Sequence, residues 1–177
     1  RVGNNSTTNL INFSDKIFAI FKQEANFYRR RGGNVFWVGH PMIDLTKKLP
    51  SKKVSRTILK LRENQNILLL MPASRPQELK YILPTFLKTA KKLQLRYPSL
   101  VVYIPSCRRI FDEQFRKGLK KYEIKGRVIS QQDYSKLMPY IYSLTKLALC
   151  KSGTVNMELA LYGIPQIVGY RVSRVTA

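Results

Sequence analysis

Leu147-Ala148-Leu149-Cys150-Lys151-Ser152-Gly153-Thr154-Val155-Asn156-Met157-Glu158-Leu159-Ala160 passes from an apolar run, through a hydroxyl-glycine-hydroxyl turn, into a helix-like segment. Leu147 to Cys150 reads as a short buried strand, and Met157, Leu159, Ala160 and Leu161 supply one packed helix face. At the start of such a helix the backbone N–H groups have no intrahelical partner, and the helix dipole favours negative charge. Gly153, flanked by the hydroxyls of Ser152 and Thr154, therefore makes a candidate phosphate seat. Glu158 follows one turn later, where a carboxylate suits sugar hydroxyls better than phosphate, as an acid holds ribose in dinucleotide-binding folds. The simpler reading is that Ser152 or Thr154 caps the helix and Glu158 is a solvated acid, and spacing alone favours it.

Outward from this stretch, apolar runs and amphipathic segments alternate. Asp15–Phe21, Asn34–Val38, Ile67–Met71, Leu100–Ile104, Arg127–Ile129, Leu147–Cys150 and Gln166–Gly169 read as strands. Lys22–Arg31, Phe111–Lys121 and Tyr134–Ser143 read as helices. From Glu78, the apolar positions Leu79, Ile82, Leu83, Phe86, Leu87, Ala90 and Leu93 recur at helical spacing, with Pro84 predicting a kink or a later helix start. The continuous run Ile67–Met71 is the pattern of a strand covered on both faces. Lys47–Ser55, Lys-rich with Pro50, reads as a domain linker leading into a short helix up to Arg62. This alternation predicts an α/β fold with a parallel sheet, and ligands in such folds sit beyond the carboxyl ends of the strands. Met71–Glu78 and Lys151–Glu158 both fall at that edge.

The 177 residues, 44% of them hydrophobic, are enough to bury a real core. Lys and Arg number 32 against 10 acids, a net charge of +22, so an anionic partner or surface is expected. Nucleic acid, an anionic membrane face and a phosphorylated substrate all fit that sign. Cys107 and Cys150 are the only thiols, and their separation suits a reduced compartment. With one histidine besides, they make no zinc-type cluster. No apolar run reaches the roughly 18 residues of a membrane span. The chain opens on Arg1 and ends shortly after a strand, which reads as an excerpt of a longer protein.

A second strand end, Met71-Pro72-Ala73-Ser74-Arg75-Pro76-Gln77-Glu78, carries an arginine placed for a phosphate or a sugar-linked oxygen. Four segments in this order make a specific signal: Val38-Gly39-His40-Pro41-Met42-Ile43-Asp44; the Ser74-Arg75 loop; Ser152-Gly153-Thr154 through Glu158; and Gly163-Ile164-Pro165-Gln166-Ile167-Val168-Gly169-Tyr170-Arg171. Together they resemble the lipid-A-disaccharide synthase family. The resemblance implies a GT-B type fold, a Rossmann-like parallel sheet with flanking helices. Residues 1–45 would end the N-terminal, acceptor-side domain, and residues 46–177 would form part of the C-terminal, nucleotide-sugar-binding domain. It further implies an inverting transfer of 2,3-diacylglucosamine from its UDP carrier to 2,3-diacylglucosamine 1-phosphate, with no metal and no cofactor. Stabilisation of the departing diphosphate then falls to N–H dipoles and arginine.

Carried over residue by residue, Arg75 with Ser74 matches the donor-site loop, Ser152, Gly153 and Thr154 the diphosphate turn, and Glu158 the acid for ribose. The acceptor site and the general base lie outside this sequence. Three positions depart from the family pattern: Ala73 where glycine is usual, Lys146 where an acid often precedes the strand, and Val155-Asn156 in place of two alanines. The resemblance implies a cytoplasmic enzyme, peripheral on the inner membrane, with UDP-diacylglucosamine, acylated glucosamine 1-phosphate and the anionic membrane surface as partners. A homodimer is a further expectation.

His40 reads as a hydrogen-bonded hinge residue after the second strand, Asp44 as a cap of the following turn, and Trp37, Tyr103 and the tyrosines of the Tyr134–Tyr142 helix as core or groove residues. Rival readings are another UDP-sugar GT-B enzyme, such as a peptidoglycan-precursor N-acetylglucosaminyltransferase or a UDP-sugar epimerase, an inactive scaffold, or a basic nucleic-acid-binding module. The last requires exposed aromatics among the basic residues. Here the aromatics mostly occupy apolar positions, so no nucleic acid is expected.

Overall fold

The computed structural model describes residues 3–46, 48–72 and 76–170. The chain forms two compact units, Arg1–Lys47 and Lys48–Ala177. In the first, α1 (Gly3–Phe13) precedes β1 (Ile17–Ala19), α2 (Lys22–Arg29), β2 (Val35–Trp37) and α3 (Pro41–Leu45). β1 and β2 pair in parallel, Ile17 opposite Val35, over a small core of Ala19, Ala25 and Val35. The α1 segment was not legible in the sequence, since Asn-Asn-Ser-Thr-Thr-Asn interrupts any apolar period. His40 caps α3, its Nδ1 accepting from the Met42 N–H at 3.2 Å. Asp44 lies within that helix and is not its cap. Trp37, expected in a core or groove, is half exposed within this unit.

The second unit runs α4 (Lys52–Leu59), β3 (Asn66–Met71), α5 (Pro76–Arg96), β4 (Leu100–Pro105), α6 (Arg109–Lys121), β5 (Gly126–Ile129), α7 (Gln131–Leu144), β6 (Thr145–Lys151), α8 (Thr154–Leu161) and β7 (Gln166–Gly169). Its five strands are all parallel, in the order β5-β4-β3-β6-β7. The chain thus builds outward from β3 to one side, then returns to β3 and builds to the other. That reversal puts the first and fourth strands of the unit side by side, with Leu69 opposite Ala148 and Met71 opposite Cys150.

Period-two alternation assigns the side chains to two cores. Leu68, Leu70, Val102, Ile104 and Leu149 face one side and pack with Phe86 and Leu87 of α5 and Phe111 and Phe115 of α6. Ile67, Leu69, Val101, Tyr103, Ala148 and Cys150 face the other, with Leu59 of α4, Ile141 of α7 and Leu159 of α8. Ile67 to Leu70 are wholly buried, which is why their run is apolar without interruption. Each such side chain contributes about 1.5–3 kcal/mol relative to exposure.

Two expectations need correction. α5 starts at Pro76 and runs through Pro84, so no helix starts at the internal proline. Pro84 is exposed, and the apolar face around Leu83, Phe86 and Leu87 is buried deeply enough to hold the helix through the missing N–H. The second half of the supposed linker is helical: Ser51 Oγ accepts from the Val54 N–H at 3.4 Å and opens α4 at Lys52. The Pro50 carbonyl accepts from Ser143 Oγ at 2.9 Å, which ties this segment to α7.

Candidate functional site

At the carboxyl edge of the sheet, β3 and β6 lie adjacent at the reversal of strand order, the position of the crevice in which doubly wound sheets bind ligands. A cavity of about 230 Å³ opens there, lined by Met71, Pro105, Cys107, Tyr134, Lys151, Gly153, Thr154, Val155 and Glu158. Gly153, Thr154 and Glu158, three of the residues singled out from sequence, are thus brought together. Ser152 is exposed at the same turn but does not line the cavity. Ser74 and Arg75, the donor-loop residues, lie outside the described residues.

Gly153 is the N-cap of α8, and no side-chain hydroxyl caps that helix. Asn156 does so instead, its Oδ1 accepting from the Gly153 N–H at 2.8 Å while its own N–H donates to the Gly153 carbonyl at 3.1 Å. The Asn156 amide is held in turn: Nδ2 donates to the Lys151 carbonyl at 3.2 Å and to Gln166 Oε1 at 3.0 Å, and Gln166 Nε2 donates to the Asn156 carbonyl at 2.8 Å. The simpler sequence reading, with Ser152 or Thr154 as cap, is therefore overturned, and both hydroxyls are exposed. The Thr154 and Val155 N–H groups, first and second in the helix, have no intrahelical acceptor available. A Cβ on Gly153 would meet nothing nearer than Lys151 Cε at 3.5 Å, so the protein's own packing does not demand glycine there.

Glu158 is half-buried on α8, facing Tyr134 and Tyr142 of α7. Burial pushes the Tyr142 phenol far above its usual range, and the neighbouring Tyr134 and Glu158 push it the same way. Burial also raises Tyr134, and the Glu158 charge adds to it. The three groups feel one another, yet Tyr142 Oη makes no well-aligned hydrogen bond. Tyr142 packs on Tyr162 with ring centroids 5.1 Å apart. This arrangement offers backbone donors and a hydroxyl for a diphosphate, and a carboxylate acceptor for vicinal hydroxyls one helical turn away.

Sequence reading missed Pro105 and Cys107. Both follow the apolar run Leu100–Ile104 and so had to reach the same sheet edge, a usable signal. Tyr134, in the first turn of α7 and expected as a core or groove residue, lines the cavity. Among the described residues no three His, Cys, Asp or Glu side chains gather as metal ligands, and no helix is long and apolar enough to cross a membrane.

Among solved structures, a UDP-GlcNAc 2-epimerase from Neisseria meningitidis, bound to UDP-GlcNAc, superposes with a TM-score of 0.64 at 20% identity, over 88% of this chain and 44% of that one. WaaG, a glycosyltransferase involved in lipopolysaccharide biosynthesis, gives 0.56 at 13% identity over 85% and 43%. These likenesses show the fold, the α/β class of GT-B type expected from the sequence. Among curated relatives, the lipid-A-disaccharide synthase of Prochlorococcus marinus (strain MIT 9313) is 49% identical over 177 residues, all of this chain and 45% of its own length. The synthase of Synechocystis sp. (strain ATCC 27184 / PCC 6803 / Kazusa) is 35% identical over 171 residues, 96% of this chain and 42% of its own. The chain thus spans under half the length of these relatives. A family model described as Lipid-A-disaccharide synthetase matches residues 3–177, so strands, turn and distal acid all fall within it, and the chain belongs to the lipid-A-disaccharide synthetase family.

Proposed function

We propose that this chain carries the donor-nucleotide seat of an inverting glycosyltransferase of lipid A biosynthesis. In this reading the enzyme transfers 2,3-diacylglucosamine from UDP to 2,3-diacylglucosamine 1-phosphate and releases UDP. The observation that carries it is the convergence of Gly153, Thr154 and Glu158 on one cavity at the β3–β6 crevice. The diphosphate lies over the N-terminus of α8, taking the Thr154 and Val155 N–H groups and the Thr154 hydroxyl. Glu158 accepts from the ribose hydroxyls. Arg75, with Ser74 beside it, supplies the cationic contact that stabilises the departing diphosphate. Family membership and the names of the relatives support this reading over a nucleic-acid-binding one. The same reading assigns residues 1–45 to the acceptor-side domain and residues 46–177 to the donor side. The net charge of +22 suits docking on the anionic cytoplasmic face of a membrane, where acylated substrates reside.

The test is calorimetric titration of the full-length protein with UDP, comparing wild type with Glu158→Ala and Arg75→Ala. Saturable binding that both substitutions weaken by about tenfold or more, the scale of a lost charge-assisted hydrogen bond, is expected. UDP binding that ignores both substitutions overturns the assignment, as does salt-dependent oligonucleotide binding in its place.

A further inference from the structure

The opposite edge of the same sheet carries a feature that the transfer reaction does not use. Where α4 ends and β5 begins, Lys60, Arg62, Lys125 and Arg127 surround a groove of about 370 Å³, floored by Gln65, Val101 and Gly126. No acid lines it. None of the four cations forms an ion pair among the described residues, and Glu123, the acid two residues before Lys125, is taken by Lys91 at 3.4 Å. Glu63, beside Arg62, is exposed on the connecting turn.

Hydrogen bonds hold the backbone that carries these like charges. Gln94 grips the Lys125 backbone from both sides, accepting from its N–H at 3.0 Å and donating to its carbonyl at 2.6 Å. Arg127 Nη1 donates to the Leu59 carbonyl at 3.1 Å, and the same guanidinium faces the buried Tyr103 phenol, which leaves part of its five-donor fork for a ligand. Arg56 ties the Arg62 and Gln65 carbonyls together. Lys60 sits at φ 53°, in the left-handed region where glycine is usual, so a charged side chain is kept at a backbone position that disfavours it. Helix C-termini attract cations, which accounts for a lysine at the end of α4. It does not account for Lys125 and Arg127, which belong to the start of a strand.

We propose that this groove is a second anion site, for a compact soluble ligand carrying two or more phosphate groups. Four cations around one concavity repel one another until a multivalent anion neutralises them. No aromatic side chain lines the groove, so it lacks the stacking platform of a single-strand nucleic-acid site. Strands of six residues separate the two edges by about 20 Å, so its occupant does not touch the donor nucleotide.

The full-length protein, saturated with UDP, is titrated calorimetrically with inorganic triphosphate. Binding at one equivalent is expected, weakened about tenfold or more in Lys125→Gln/Arg127→Gln and in Lys60→Gln, whose exposed side chain can be changed without touching the core. Lys88→Gln/Lys92→Gln, which removes two exposed charges from α5, leaves it within about twofold. UDP affinity is read on every variant; its loss in wild type would sink the donor-seat reading and leave this one to the Lys and Arg variants. Absence of triphosphate binding, binding that ignores both groove variants, binding lowered equally by the α5 pair, or binding only to phosphatidylglycerol vesicles would each overturn the proposal.

Discussion

Asn156 and Gly153 cap each other: the asparagine side chain accepts the Gly153 N–H at 2.8 Å, and the glycine carbonyl accepts the Asn156 N–H at 3.1 Å. This reciprocal pair replaces the hydroxyl cap that the Ser-Gly-Thr turn suggests. Asn156, where the resemblance leads one to expect alanine, does the capping and joins the turn to Gln166 of β7.

Asn156→Ala therefore removes a cap and the Nδ2 donor to Gln166 Oε1, while the bond from Gln166 Nε2 to the backbone carbonyl of residue 156 stays. A loss of about 1–2 kcal/mol in unfolding free energy is expected, together with weaker UDP binding as the turn loosens. Urea denaturation and calorimetry on the same variant check both.

Gly153→Ala separates packing from ligand contact. The added Cβ meets only Lys151 Cε at 3.5 Å, an ordinary contact, and φ 162° is extended backbone open to any residue. Stability should stay within about 0.5 kcal/mol of wild type. UDP affinity should fall about tenfold, because the methyl occupies the space a phosphate needs above the Thr154 N–H. Unchanged affinity would remove the diphosphate from this turn.

Gly126 and Gly118 give opposite outcomes for the same substitution. A Cβ on Gly126 would lie 2.6 Å from the Val102 carbonyl oxygen, a backbone atom fixed in the β4–β5 ladder. Gly126→Ala should destabilise by about 1–3 kcal/mol, the usual effect of overpacking. On Gly118 the clash is with Leu87 Cδ1 at 2.6 Å, the end of a side chain that can turn, while alanine gains about 0.5–1 kcal/mol of helix preference within α6. Gly118→Ala should change the thermal midpoint little by comparison.

Alkaline pH tests the buried phenols. Burial raises Tyr103, Tyr134 and Tyr142, so the folded state keeps protons that the unfolded tyrosines release near pH 10. Their contribution is fully present below that pH and is lost as pH climbs toward the folded values, so stability must fall above about pH 10. Tyr142→Phe, which also removes an unpartnered buried hydroxyl, should make that fall shallower in urea midpoints measured from pH 8 to 11.

Much of this was legible because burial leaves a mark on composition. The strand under Ile67–Met71, covered on both faces, could only be apolar throughout, and the Leu79–Leu93 period could only be one helix face. At Gly153 and Glu158 spacing alone favoured a hydroxyl cap and a solvated acid, and it was the resemblance that singled them out. What escaped depended on tertiary neighbours: Asn156 as cap requires Gln166 across from it, and the groove at Lys60 and Arg127 joins residues far apart in sequence. Pro84 misled because a local rule about proline was outweighed by the buried face around it.

The adjacency of β3 and β6 fixes when the nucleotide crevice can exist. Met71 finds Cys150 only after three helices and two strands between them have been laid down. Such distant pairing is slow to close. During synthesis, a nascent chain halted before α8 emerges would carry folded strands and no seat, so ligand capture is among the last properties this unit acquires.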